Sequence, residues 1–319
     1  VMMLWEEGKF KLDGPVSKYI TEFKNPVILD SLLNDGSYTT VPADKDISIR
    51  HLLTNTSGIV YGAIDGDERF KKIYKKAGII DLFTTKKISI GENIKKLEKL
   101  PLYHNPGEKF TYSESYDVLG YLIEVMSGMP FDKFLRAHIF DPLGMDDTWF
   151  YLSNSKVNRL VLQTKEGTKW KNYPVTFYDP DYPIKGAKQF FSGVAGLSST
   201  AVDYAKFLQM YLNQGVYNGK RLLSRTTVKV IMANQIGNLW GTDTTNDYGL
   251  AFAVLNQKGE NKGGSGSINT FSWGGYFNTQ YFADPEEQTI GILLKQTQGQ
   301  VSDQTRWKFP ILVAQAVDD

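Results

Sequence analysis

The 319-residue chain has no cysteine and three histidines. The first absence excludes disulfides and thiolate metal sites and says little about compartment. The second leaves too few imidazoles, too widely scattered, for a metal site. Neither sign of charge is in excess: 36 Lys and Arg stand against 35 Asp and Glu, a net charge of +1. Nothing electrostatic therefore points to nucleic acid or to an acidic partner. No apolar run approaches the roughly 18 residues of a membrane-spanning helix. Internal repeats, a phosphate loop, metal-ligand spacing and a G-x-S-x-G elbow are all missing, and no Ser-His-Asp arrangement declares itself. His51, His104 and His138 read as packing or capping residues, and no cofactor is expected. The hydrophobic (41%) and charged (22%) fractions are ordinary for a globular chain long enough to bury a large core.

What the chain does contain is a strongly patterned stretch over residues 106–150. A Pro106-Gly107 turn leads to Tyr112 and Ser113, where the spacing predicts a helix start that Ser113 or Ser115 can cap. Val118, Leu119, Leu122, Ile123, Val125 and Met126 then recur at helical period, and Gly128 closes the helix. A second helix carries Phe131, Phe134, Leu135 and Ile139 and stops at Asp141-Pro142-Leu143-Gly144. Tyr112 thus sits at a loop-to-helix junction. By itself this is an amphipathic residue at a helix start.

The text YSESYDVLGYLIEVMSGMPFDKFLRAHIFDPLGMDDTWF resembles serine hydrolases of the penicillin-recognising fold: class C β-lactamases, DD-peptidases and the carboxylesterases built on that scaffold. The likeness runs along nearly the whole chain. It implies an α/β (α+β) fold, an antiparallel sheet flanked by helices, with an all-helical lobe and a cleft between them. All 319 residues are expected to form one such domain, with about 50–190 mostly helical lobe and cleft loops, and 1–49 with 191–319 the sheet lobe. The resemblance also makes Tyr112 part of the acid–base machinery of the active site.

In that family the nucleophilic serine and its lysine lie in an S-x-x-K helix. Val1-Met2-Met3-Leu4-Trp5-Glu6-Glu7-Gly8 reads as the end of an amphipathic helix without its beginning. On the family pattern the S-x-x-K motif and the strands before it would precede Val1, and the chain as given is expected to be inactive. The only S-x-x-K string is Ser153-Asn154-Ser155-Lys156, in a polar stretch. The chemistry needs the lysine one turn after the serine on a buried helical face, so this string reads as coincidence.

Ser48 to Gly58 (SIRHLLTNTSG) reads as a short capped helix and resembles the family's HLLTHTSG segment, which packs near its active-site helix; residues 65–100 are Lys-rich and spaced for helices. Residues 151–190 are irregular. Residues 191–200 (FSGVAGLSST) resemble a family segment that leads into a helix over 202–213. From Tyr248 the period changes to 2, predicting strands over 248–255, 267–273, 278–283 and 289–295, with a Gly- and Asn-rich turn over 256–266. A helix over 302–316 follows.

Trp273-Gly274-Gly275 stands where lactamases and transpeptidases of the family carry K-T-G or H-T-G, and matches the W-G-G of esterase-like members. Two side-chain-less positions on a strand edge let an acyl group lie against the backbone; read alone, they are a Gly-Gly bend beside a core tryptophan. By the resemblance the Tyr276 N–H is one oxyanion-hole donor. Ser113, Glu114, Phe271 and Trp240 are expected in the substrate cleft. Glu114 replaces the asparagine of the family's Y-x-N and Trp273 replaces the K-T-G lysine. Both changes disfavour penicillins and suit small neutral esters. The chain is therefore read as a carboxylesterase-like serine hydrolase acting on a small ester or amide. The alternatives are a non-catalytic relative that binds a ligand or partner, or a weak β-lactamase or DD-peptidase.

Overall fold

In the computed structural model, residues 1–64, 67–165, 169–263, 265–299 and 303–317 are described. The chain divides into two units, residues 1–136 with 175–197 and residues 137–174 with 198–319.

The first unit is mainly helical. Helix α1 (Met2–Glu6) buries Met2 and Leu4. Strands β1 (Val27–Leu32) and β2 (Tyr38–Pro42) pair as an antiparallel hairpin that the sequence pattern does not announce. Helix α2 (Ile49–Leu53) starts at a reciprocal cap in which the Ser48 hydroxyl takes the His51 amide and His51 Nδ1 takes that of Ser48. Helix α3 (Glu68–Ala77) ends at left-handed Gly78, and α4 (Ile90–Leu97) opens on a Ser89–Glu92 capping box. Helix α5 (Ser115–Ser127) buries Val118, Leu119, Leu122 and Ile123 and closes at left-handed Gly128, as its periodicity requires. Glu114 takes its N-cap position without a side-chain bond. Ser113 and Ser115 are therefore not the cap, although the Ser113 hydroxyl accepts the Ser115 amide at 3.3 Å. Helix α6 (Phe131–Leu135) packs on α5 through Phe131 and Phe134.

Residues 192–194 return to the start of α5, and Gly193 is what permits it. A Cβ there would stand 2.2 Å from the Tyr116 carbonyl oxygen. The approach lets Asp117 Oδ1 accept the Ser192 hydroxyl (2.8 Å) and the Val194 amide (3.2 Å).

The second unit is built on sheet. Strands β3 (Thr164–Lys165) and β4 (Lys171–Asn172) form a small hairpin. Helix α7 (Ala201–Leu212) is capped by Thr200, and the hairpin of β5 (Val216–Tyr217) and β6 (Lys220–Arg221) follows it, then α8 (Arg225–Met232). Strands β7 (Asn246–Tyr248), β8 (Ala253–Leu255), β9 (Phe271–Gly274), β10 (Gln280–Asp284) and β11 (Thr289–Leu293) make one antiparallel meander in the order β11-β10-β9-β8-β7. The single strand expected over 248–255 is two, because the chain turns at Ala251, whose φ is +77°. The expected turn over 256–266 contains a helix, α9 (Gln257–Lys262), capped by the Asn256 side chain. Strand β12 (Thr297–Gln298) pairs in parallel with β3, and α10 (Thr305–Ala314) contacts β11; Ser302, the expected start of that helix, lies outside the described residues. Among the described residues no helix is long and apolar enough to cross a membrane.

Candidate active site

In the first unit Tyr112 projects with 38% of its surface exposed, while its supports are buried. The preceding Thr111 gives its amide to the Asn55 carbonyl (2.7 Å), and its hydroxyl meets His104 Nε2 (2.9 Å). Asn55 is left-handed (φ +53°) and wholly buried, and its side chain reaches the Tyr116 hydroxyl at 3.0 Å and accepts from Ser113 at 3.3 Å. Ser57, Ser113 and Ser115 join through hydroxyl contacts of 2.8 Å. The 54–57 segment is thus the bracket that fixes the start of α5 and with it Tyr112. Each buried hydroxyl that keeps a partner avoids a desolvation cost of about 1–3 kcal/mol, so the bracket is rigid as long as it is complete.

The structure adds a residue that sequence reasoning missed. Tyr61, 2% exposed, sets its ring edge against that of Tyr112, with centroids 5.5 Å apart. Burial raises the Tyr61 phenol well above its ordinary range; neighbouring Tyr112, Glu114 and Asp117 add to this. It follows the quoted T-N-T-S-G motif by three residues, the one sequence signal that could have drawn attention to it.

Ser113 and Glu114 do not line a substrate cleft as expected. Both are fully buried. Glu114 faces inward because the start of α5 is covered by loop residues far away in sequence, chiefly Asp81 and the 192–194 segment. Asp81 accepts the Gly62 amide at 3.2 Å and that of Ala63. Neither Glu114 oxygen, nor Asp117 Oδ2, receives a donor bond from an N–H or hydroxyl. Burial pushes the Glu114 carboxyl well above the usual range, and the Asp117 and Asp81 charges push it further. Burial likewise raises Asp117 to about 6, against its bonds from Glu114, Ser192 and Val194. Burial and like charge thus act against the preference of a helix N-terminus for an anion. Among the described residues no group of three or more His, Cys, Asp or Glu is arranged to hold a metal ion.

In the second unit Trp273 and Gly274 end β9, and residues 275–279 turn the chain into β10. The Gly275 amide meets the Thr279 carbonyl at 2.8 Å, and the Asn278 amide meets the Gly275 carbonyl at 3.0 Å. A Cβ on Gly275 would lie 2.2 Å from Thr279 Oγ1, so a side chain there would require that hydroxyl to turn away. Gly274 is exposed and edges the turn, as does Tyr276 (39% exposed). The Tyr276 hydroxyl meets that of buried Tyr173 at 3.2 Å, and Tyr173 packs on Phe277 at 5.0 Å. Burial and the bond to Tyr173 raise the Tyr276 phenol to about 12. Half-buried Trp273 lies 6.0 Å from Trp240, and both rest on Tyr248, which is wholly buried. Phe271 is not in that wall. Two residues back on the same face of β9, it is 3% exposed and packs against Tyr211 and Phe252.

Ser153 and Lys156 lie in a turn, not a helix, with Ser153 exposed. Lys156 is 2.5 Å from Asp147, which also holds Arg159. Its amine is engaged by that carboxylate, and the pair does not form the serine-and-lysine turn of a buried helix that the chemistry needs. A small cavity of about 50 Å³ in the first unit is walled by Phe23, Ile47, Tyr74, Leu97 and Glu98, and none of the predicted site residues lines it.

Residues 1–315 match the family model described as Beta-lactamase. The chain belongs to the Beta-lactamase family. An uncharacterized protein of Mycobacterium tuberculosis is 28% identical over 313 residues, covering 92% of this chain and 73% of its own. Esterase EstB of Burkholderia gladioli is 28% identical over 315 residues, covering 93% and 74%. Among solved structures, EstCE1, described as a hydrolase with promiscuous acyltransferase activity, superposes with a TM-score of 0.78 at 24% identity, over 98% of this chain and 80% of its own. The fold is accordingly that of β-lactamases and penicillin-binding proteins, and the chain is a member of a serine hydrolase superfamily with esterases among its relatives.

Proposed function

We propose that this Beta-lactamase family chain is the greater part of a carboxylesterase acting on small neutral esters through an acyl-enzyme. The observation that carries the proposal is Tyr112, an exposed phenol set on a buried hydroxyl bracket and backed by a second phenol. On this reading a serine of an S-x-x-K helix, outside these 319 residues, attacks the ester carbonyl. Its oxygen bonds to the carbonyl carbon, the carbon–alkoxide bond breaks, and Tyr112 with the motif's lysine carries the serine proton to the departing alcohol. Water then repeats the sequence on the acyl-enzyme. The Tyr276 amide is assigned as an oxyanion donor, and Trp273 and Trp240 as an apolar wall.

Two observations favour esters over lactams. Glu114, in place of the family's asparagine, is buried and offers a substrate amide nothing. Trp273, in place of a lysine, offers no cation to a substrate carboxylate. The second reading, a non-catalytic binding relative, is favoured only by the ion-paired Lys156, which leaves the one S-x-x-K string without a base.

Labelling with a fluorophosphonate probe tests the proposal, on this chain and on the protein encoded by the full reading frame. Labelling of the longer protein alone, with hydrolysis of p-nitrophenyl acetate, is the expected result. Labelling of the 319-residue chain would place the nucleophile within it, with Ser153 the first to substitute. Labelling of neither leaves the binding module.

A further inference from the structure

The three buried carboxyls of the first unit are not explained by the roles assigned above. Asp81, Glu114 and Asp117 are 5%, 0% and 0% exposed and come from three places in the chain. Their outer bonds show which of them act as acceptors. Asp81 accepts the amides of Gly62 and Ala63, and Asp117 accepts from Ser192 and Val194 through Oδ1. Each therefore acts as an acceptor toward a different segment of backbone. Glu114, between them, receives no such bond at either oxygen, and Asp117 Oδ2 receives none. A buried carboxyl beside two acceptors is satisfied if it is the donor. The groups that act most strongly on Glu114 are Asp117 on α5 and Asp81 ahead of α4, both acidic, and Glu114 in turn acts on Tyr61.

We infer that Glu114 is a positioning residue: a neutral carboxylic acid that donates its one proton to the open Asp117 Oδ2 and, being uncharged, lets Asp81 stand beside it, so that the three segments that hold Tyr61 and Tyr112 can come together. Those segments are residues 61–63, the start of α5, and residues 192–194. Loss of that proton places a third negative charge among them and drives apart the supports of both phenols. The unfolded chain gives up this proton near the ordinary glutamate value, whereas the folded chain retains it at higher pH. Stability is thus full below that value and falls as pH rises toward the folded-state value. The direct effect is on the scaffold; the consequence for turnover rests on the proposed esterase reading, and the two are separable.

The test compares wild type with Glu114→Gln and Glu114→Ala in the 319-residue chain and in the full-length protein. Glutamine keeps the shape and an N–H donor, and has no proton to lose. We expect Glu114→Gln to melt with wild type at about pH 5 and clearly above it at about pH 9, where the ordinary carboxylate is fully ionised. Glu114→Ala should melt below both throughout. Infrared difference spectra supply a reading that needs no stable alanine variant: the C=O stretch of a carboxylic acid should be present in wild type at neutral pH and absent from Glu114→Gln. A Glu114→Gln variant that melts below wild type at high pH, or an acid band unchanged by the substitution, overturns the inference, because Glu114 would then carry a charge paired with a cation. In the full-length protein kcat for p-nitrophenyl acetate should fall at least about tenfold in Glu114→Ala, with KM little changed, and be restored in Glu114→Gln with its alkaline limb extended. Equal pH profiles in all three proteins overturn the positioning role. Absence of hydrolysis in wild type defeats the esterase reading and leaves the melting and infrared outcomes to decide the proton.

Discussion

Tyr61 and Tyr112 meet edge to face, their planes inclined at 61°, one ring buried and the other open to solvent. The buried ring supports the open one. Replacing Tyr61 by phenylalanine keeps the ring contact and removes a buried hydroxyl that has no hydrogen-bond partner among the described residues, so it should cost no more than about 0.5 kcal/mol. Tyr61→Ala removes a core aromatic and should cost about 3–5 kcal/mol. Urea unfolding of the two variants measures the difference; equal costs would mean that the ring does not buttress its neighbour.

Tyr112→Phe should leave stability within about 0.5 kcal/mol of wild type, since the phenol is exposed. On the proposed esterase reading it should lower kcat of the full-length protein by about 10²–10⁴, the range of a lost acid–base group. Steady-state kinetics with a chromogenic ester decide this, and near wild-type turnover would remove Tyr112 from the mechanism.

The carbonyl of Tyr116 lies where a side chain at 193 would have to go. Gly193→Ala should destabilise by about 1–3 kcal/mol or more, because both clashing groups are backbone and neither can swing aside. It should also loosen the Asp117 bonds to Ser192 and Val194, which amide hydrogen exchange at Val194 would report. Unchanged protection there would contradict the proposed close approach.

Tyr276 titrates high partly because its hydroxyl is bonded to that of Tyr173. Tyr173→Phe should move the Tyr276 midpoint from about 12 toward the ordinary phenol value near 10. Ultraviolet difference titration against a Tyr276→Phe reference isolates the group, and an unmoved midpoint would show that the contact is not made in solution.

Glu98 is raised to about 7, by burial first and by the charge of Glu22 second. Its folded value exceeds the unfolded 4.5, so its contribution is whole below that pH and is lost as pH rises to about 7. Glu98→Gln should therefore flatten the decline in melting temperature across this window and melt above wild type at the upper end. Parallel curves for the two proteins would assign the decline to other groups.

Helix α5, its closing Gly128 and the strand meander were legible because local periodicity and turn chemistry agree with the tertiary structure there. Ser48 is a cap, as its position before an apolar run indicates. The helix Gln257–Lys262 was hidden in a Gly- and Asn-rich stretch, where Asn256 serves as a cap instead of a turn residue. Leu102 pairs with the first strand of the hairpin over 27–42, a long-range contact that no local pattern announces. At the site, the motif located Tyr112 but misjudged the surroundings of Ser113 and Glu114. Which way those side chains face is set by Asn55, Asp81 and Ser192, residues 33–78 positions away in the chain. The glycine pair after Trp273 was legible as a bend; that the Thr279 hydroxyl crowds its second member was not, because Thr279 lies beyond the turn.

The return of residues 192–194 to the start of α5 has a bearing on how the protein is made. A ribosome that has released the first 136 residues has made every helix on which Tyr112 stands, yet Asp117 still lacks Ser192 and Val194. Nearly sixty further residues must emerge before that carboxylate is satisfied, and most of them belong to the other unit. The first unit therefore cannot mature during synthesis in the order in which it is encoded. Until the chain has passed residue 194, its nascent form carries an open acidic seam, a natural holding point for a chaperone and an early point of attack for a protease.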